Sequence, residues 1–320
     1  MSDGTPQNKQ LYSFAFYNLE NLFDTVNDPA TWDDDYATGA RLQWNEKRFK
    51  KKVKKLGWAI SRLGRAETGF PPAVVGVAEV ENAYVMKALC ASKKLKKKYG
   101  YVHFDSPDER GIDTGLLYRK EVFTVTNTET VPLYLENQYG QRDFTRDTLH
   151  VTGSLKNQTV HILVNHWPSR REGAKKTAHK RLAAAHANRK IIATIKAGNE
   201  NAKIIVMGDF NDNPKSDSIH TLKGTDLYNP MEMAHTHGTG SLSHRGQRDM
   251  FDQILVSNSF LAMHDNPFRF EGAKVFNPDT LKVYKGRFKG LPFRTFAGPR
   301  YLGGFSDHFP VYALFSVAVQ

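Results

Sequence analysis

A single cysteine, Cys90, leaves the 320-residue chain with no intramolecular disulfide and no thiolate metal cluster. It reads as a small buried hydrophobe. No apolar run approaches the roughly 20 residues that span a bilayer, so no transmembrane helix is expected. The opening Met1-Ser2-Asp3-Gly4-Thr5-Pro6-Gln7 has no basic segment followed by an apolar one. A cytoplasmic protein is therefore expected if Met1 is native, and a periplasmic or secreted one if a leader was removed. Solenoid-period repeats, low-complexity linkers and composition breaks are missing too, so residues 1–320 are expected to form one domain, with 1–10 a flexible tail. Acidic residues are in deficit, 33 against 45 Lys and Arg, for a net charge of +12. That balance favours polyanionic partners, nucleic acid first and anionic lipid headgroups second. No protein partner is expected, and the chain reads as a monomer.

What is present is enough apolar sequence, 40% of residues, for a core that needs no staple. Leu11 to Tyr17 alternates and is aromatic-rich, predicting a first strand that ends at Asn18-Leu19-Glu20-Asn21. From Asn45 to Leu63, Phe49, Val53, Leu56, Ile60 and Leu63 share one helical face, while the lysines at 50–52, 54 and 55 fall mostly elsewhere and read as a solvated surface. Ala73 to Ala78 is a buried strand running into Glu79. A helix is expected from Asn82 to Lys98, then a succession of short β-type segments between Tyr101 and Asn165, which argues for hairpins. A long helix over Glu172–Lys196 precedes the apolar run Ile204 to Met207. Strands are expected again at Phe251–Ser257 and Phe309–Val317, separated by a long aromatic and basic loop over Asp265–Gly304. The Met231 to His237 tract lacks ligand spacing and reads as a loop.

The chemistry-bearing residues recur at strand ends. Asn18 and Glu20 follow the first strand, Glu79 and Glu81 the second, Asn165 and His166 a later one, and Asp209 and Asn211 the next. Asp252 opens another strand, and Ser306-Asp307-His308 precedes the last. One such group is turn chemistry; six converging at one sheet edge would form a site.

With Phe16-Tyr17-Asn18, Asn21-Leu22-Phe23-Asp24, Arg110-Gly111-Ile112-Asp113, Asn165-His166-Trp167-Pro168-Ser169-Arg170-Arg171, Gly208-Asp209-Phe210-Asn211 and Ser306-Asp307-His308 in this order, the chain resembles the endonuclease/exonuclease/phosphatase superfamily. That group includes DNase I-like nucleases, apurinic endonucleases, inositol-polyphosphate 5-phosphatases and neutral sphingomyelinases, and the likeness is to its uncharacterised bacterial branch. The resemblance implies an α/β fold, a four-layer α/β/β/α sandwich whose two mixed, mostly antiparallel sheets pack face to face. It implies Glu79 as the metal-binding carboxylate, with Asn18 and Asp307 contributing, and Mg²⁺ as the ion, Mn²⁺ or Ca²⁺ being alternatives. A hard cation with few protein carboxylates agrees with that set. Asp209 would position the attacking water, Asn211 steady the phosphate, and His308, oriented by Asp252, act on the phosphate oxygens. His166 would sit on the leaving-group side, oriented by Asp113, and Glu81 would serve as a cap near Asn82. Arg110, Arg146 and Arg170 are candidate phosphate clamps, the guanidinium fork suiting bidentate contacts.

The expected activity is metal-assisted in-line hydrolysis of a phosphodiester by a nuclease or phosphodiesterase. A phosphoinositide or sphingomyelin-type headgroup hydrolase is the alternative within the same chemistry. An inactive polyanion-binding module is the alternative of another class.

Overall fold

The computed structural model describes residues 9–137, 139–244, 246–262 and 266–318. Of the expected N-terminal tail, 1–8 lie outside the described residues, and Lys9 and Gln10 already belong to a strand. In chain order the strands are β1 (Lys9–Leu22), β2 (Val74–Val80), β3 (Tyr99–His103), β4 (Asp113–Arg119), β5 (Phe123–Val131), β6 (Thr148–Leu155), β7 (Gln158–His166) and β8 (Ile204–Asp209). They continue with β9 (Leu227–Tyr228), β10 (Leu242–His244), β11 (Gln247–Asp249), β12 (Asp252–Ser257), β13 (Phe268–Val275), β14 (Phe296–Ala297), β15 (Arg300–Tyr301) and β16 (Val311–Ala318). The helices are α1 (Glu46–Ile60), α2 (Arg65–Thr68), α3 (Ala83–Ala91), α4 (Ala178–Gly198), α5 (Asp217–Lys223) and α6 (Met231–Thr236). Among the described residues, no helix is long and apolar enough to cross a membrane.

Two six-stranded sheets form the centre, ordered β13-β16-β1-β2-β4-β3 and β5-β6-β7-β8-β12-β9. Each contains one parallel pair, β1 with β2 and β7 with β8, and every other neighbour in these two sheets is antiparallel. The facing sides interdigitate through Phe14, Phe16, Val74, Leu116, Val164, Met207, Ile254 and Phe315. Period-2 alternation is why: the same strands send Tyr17, Val75 and Val77 outward, where α1 covers them with Phe49, Val53, Leu56 and Ile60. On the far side α4 and α5 lay Ala185, Ile192, Ile219 and Leu222 over Leu163, Ile204, Val206 and Leu255. The result is the α/β/β/α layering expected.

Local chemistry sets the helix ends. Asn45 and Asn82 cap α1 and α3 by accepting the N–H of Arg48 and Val85. Glu81 does not cap α3; its carboxylate accepts the Asp24 N–H at 2.5 Å. The Met231–His237 tract is mostly helical, as α6, and Cys90 is only half-buried, although burial still raises its thiol to about 11. The stretch expected as a loop from Asp265 also differs: Asp265 lies outside the described residues, and Phe268–Val275 is an edge strand paired with β16. One face of that strand meets solvent, so its charged residues interrupt the apolar run that marks a buried strand. Lys52, counted with the solvated lysines, is buried in α1 and donates to the Glu20 carbonyl.

Candidate active site

The two parallel pairs deliver the site. Their carboxyl ends carry Asn18 and Glu79 from one sheet and His166 and Asp209 from the other. β12 runs antiparallel to β8 and starts with Asp252 directly opposite Asp209. His308 comes two residues before Pro310, just ahead of β16. Gly208 makes the close approach of β7 and β8 possible, since a Cβ there would stand 2.3 Å from the Asn165 carbonyl oxygen.

Glu79 is the extra residue of a β-bulge: Ala78 and Val80 pair with Thr114 and Asp113, and Glu79 has φ +59°. Such a bulge re-aims one side chain out of the strand's alternation, and a positive φ on a non-glycine residue is a strain the surroundings must hold. They do so through Asn21 N–H, which Glu79 Oε2 accepts at 2.8 Å, and Asn18 Nδ2, which donates to Glu79 Oε1 at 3.3 Å and to Asp209 Oδ2 at 3.0 Å. Asn18 Oδ1 accepts the Glu20 N–H at 2.9 Å and keeps a second lone pair. Through Nδ2, Asn18 braces the two carboxylates against each other.

Asp209 is buried, its Oδ1 accepting the Asn211 N–H at 3.0 Å while Asn211, at φ +49°, donates from Nδ2 to the Trp167 carbonyl. Burial, opposed by the nearby His308 imidazole, holds the Asp209 carboxyl up at about 6. The two histidines are driven apart. Burial would lower His308, but the Asp252, Asp209 and Asp307 carboxylates outweigh it and hold the ring well above the usual imidazole range. Its Nδ1 lies 2.6 Å from Asp252 Oδ2, and its Nε2 lies 3.9 Å from both Asp209 Oδ2 and Asp307 Oδ1. His166 goes the other way, lowered by burial and then by Arg146 and Arg110. Its Nε2 is 3.8 Å from Asp209 and 3.9 Å from Glu79.

A cleft of about 650 Å³ opens over these groups, lined by Glu79, His166, Asp209, Asn211, Asp307 and His308 with Arg110, Arg170, Arg171 and Phe251. As hard oxygen donors facing one cleft, Glu79 and Asp307 fit a divalent cation. Asp209, Asp252 and His308 also bring ligand atoms within 4.8 Å of one another, but the 2.6 Å contact between His308 and Asp252 makes those two an oriented pair with no room for an ion between them.

Three expectations are corrected. Asp113 does not orient His166; its carboxylate takes His103 Nε2 at 3.1 Å and the N–H and hydroxyl of Ser106, and His166 Nδ1 has no hydrogen-bond partner among the described residues. Arg146 is no phosphate clamp, because it is buried with Nη1 on Asp108 and its other nitrogens on the carbonyls of His166 and Trp167. Arg170 sits in the cleft wall over the Phe251 ring but donates to the Asn211 carbonyl and the Asp212 carboxylate, supporting the Asn211 turn. Arg110 lines the cleft, with one nitrogen on Asn21 Oδ1 at 2.6 Å. Two contributors went unread: Arg171, exposed at the cleft, and Arg294, which donates to Asp307 Oδ2 at 2.5 Å. Arg171 was visible as the last residue of the Asn165–Arg171 run; nothing local marked Arg294.

A family model described as "Endonuclease/Exonuclease/phosphatase family" matches residues 13–316. No curated protein matches the sequence. Solved structures share the fold at low identity. Truncated Caenorhabditis elegans TDP2 is 16% identical over 95% of this chain and 97% of its own, with a TM-score of 0.60. D. rerio TDP2 complexed with a single-strand DNA product is 17% identical over 95% and 98%, with a TM-score of 0.56. An endonuclease/exonuclease/phosphatase family protein from Bacteroides thetaiotaomicron is 15% identical over 98% and 100%, with a TM-score of 0.58.

Proposed function

Because the chain belongs to the endonuclease/exonuclease/phosphatase family, whose members are generally divalent-metal-dependent phosphoric ester hydrolases, we propose that it is a phosphodiesterase acting by in-line attack of water, with nucleic acid as its substrate class. The observation that carries this reading is the meeting of Glu79, Asp209, a high-pKa His308 and a low-pKa His166 at one cleft. A Mg²⁺ ion held by Glu79 and Asp307, or Mn²⁺ or Ca²⁺ in its place, would polarise a phosphate oxygen and stabilise the leaving oxyanion.

The chain's own residues supply the rest. Asp209 Oδ2 accepts a proton of the attacking water and orients its lone pair toward phosphorus. His308, kept protonated by Asp252, offsets the charge that grows on the equatorial oxygens. Asn211 has one amide N–H on Trp167 and a second available to a phosphate oxygen. Neutral His166 offers a hydrogen bond on the leaving-group side without adding charge, and Arg110 and Arg171 draw the diester in.

The net charge of +12 and the DNA product bound by the D. rerio neighbour favour nucleic acid over an inositol or sphingomyelin headgroup. A panel of plasmid DNA, RNA, bis-p-nitrophenyl phosphate, inositol phosphates and sphingomyelin, each with Mg²⁺ or Mn²⁺, tests the assignment. Plasmid nicking with diester turnover is expected. Hydrolysis of lipid alone would replace the substrate class, and no hydrolysis of anything would leave a polyanion-binding module.

A further inference from the structure

Residues 282–292 form a closed hairpin beside the active site. Lys282 bridges Pro292, Val283 N–H donates to the Leu291 carbonyl at 2.8 Å, and Gly290 N–H donates to the Val283 carbonyl at 2.9 Å. Gly286, at φ +80°, makes the tip turn. Every residue from Tyr284 to Lys289 is exposed, with Tyr284 at 73% and Phe288 at 59%. The six other aromatic rings between 265 and 304 (Phe268, Phe270, Phe276, Phe293, Phe296 and Tyr301) are buried or half-buried, so the fold uses those and leaves these two. Lys285 lies 5.4 Å from the centroid of the Tyr284 ring and Arg287 5.7 Å from that of Phe288. The sequence from Thr280 to Ser306 contains no acidic residue and carries Lys282, Lys285, Arg287, Lys289, Arg294 and Arg300.

The hairpin's base adjoins the catalytic cleft through a groove that shares Leu242 with it. This groove of about 170 Å³ is lined by Arg248, Lys282, Leu291, Pro292, Leu242 and Phe309 among others. Leu242 also lines the cleft, Phe309 follows His308, and Gln247 and Asp249 on either side of Arg248 line the cleft as well. Two cations, Arg248 and Lys282, therefore line the groove at the base of the hairpin that carries the two exposed rings.

We propose that Arg248 and the 282–292 hairpin form a track for a single-stranded nucleic acid leaving the cleft, with Tyr284 and Phe288 stacking bases beyond the scissile phosphate; the proposal rests on the phosphodiesterase reading above. Stacking demands unpaired bases, since a duplex hides their faces, and flanking cations follow the backbone between stacked bases. A membrane surface fits less well, because the tip offers two rings and no aliphatic side chain, too little apolar area for an interfacial anchor.

The test uses the full chain and a fluorescein-labelled 15-mer oligothymidylate in EDTA, so that binding is read without turnover. Phe288→Ala is expected to raise Kd roughly 5- to 150-fold, the range for one lost stacked base. Replacing Lys285, Arg287 and Lys289 by Gln is expected to flatten the slope of log K against log salt by about 2, three phosphate contacts at about 0.7 each. Turnover of bis-p-nitrophenyl phosphate with Mg²⁺, a substrate too short to reach the hairpin, should stay unchanged in both variants. An unchanged oligonucleotide Kd and salt slope would overturn the track. So would loss of binding to phosphatidylserine vesicles with oligonucleotide binding intact, which would make the tip a membrane contact. Failure of the underlying reading shows separately, as a wild-type protein that hydrolyses no diester.

Discussion

Asp209 and Asp252 face each other across the end of the β8–β12 ladder, and His308 is bonded to only one of them. Its Nδ1 is 2.6 Å from Asp252, while its Nε2 stands 3.9 Å from Asp209. Like charges directly opposite on a sheet repel, and a protonated imidazole beside both offsets that repulsion. Asp252 thereby fixes the ring and its charge, and Asp209 is left facing the cleft as an acceptor.

Replacing Asp252 by Asn should therefore change the pH profile as well as the rate. Burial pushes the His308 imidazole down and Asp252 is the leading group lifting it. Without that carboxylate the ring loses its proton at lower pH, so the alkaline limb of kcat/KM moves to lower pH. Turnover should fall by about 10² to 10⁴, the scale of one acid–base or charge-stabilising group. A limb that stays in place in Asp252→Asn would mean that another group controls it.

Arg146→Met should cost stability. The substitution strands the buried Asp108 carboxylate, a loss of about 3–5 kcal/mol. Adding Asp108→Asn should recover part of it in urea titrations. A fully stable Arg146→Met protein with a raised KM would restore the phosphate-clamp role.

Gly208→Ala should destabilise by about 1–3 kcal/mol, because the new Cβ meets backbone, the Asn165 carbonyl, which cannot rotate away. The adjacent pair His166 and Asp209 would separate with it, so turnover should drop even under conditions where thermal denaturation shows the protein folded.

The strand-end residues were legible because an apolar run that stops at a carboxylate marks a place where a buried strand surfaces, as at Glu79 and Asp209. Packing along each strand follows from alternation, and that much of the two sheets could be read. The bulge at Glu79 could not, since a positive φ leaves no mark in a Val-Ala-Glu-Val sequence. Nor could the partners of Asp113 and Arg146: His103 comes from a neighbouring strand and Asp108 lies 38 residues from Arg146, separations with no periodicity to betray them. Lys52 was hidden by its neighbours, because a run of lysines reads alike whether one of them turns inward or none does. β13 was missed for a related reason, an edge strand with a solvated face resembling a polar loop.

The central claim is that Glu79 and Asp209 serve hydrolysis through a divalent ion and a positioned water. The most direct measurement is turnover of bis-p-nitrophenyl phosphate by wild type, Glu79→Gln and Asp209→Asn across a Mg²⁺ titration, with an excess-EDTA control. The account predicts that EDTA abolishes wild-type turnover, that Glu79→Gln needs far more Mg²⁺ to reach half-maximal rate, and that Asp209→Asn stays slower by about 10² or more at saturating Mg²⁺. Full wild-type activity in EDTA, or variants as fast as wild type at every Mg²⁺ concentration, would contradict it.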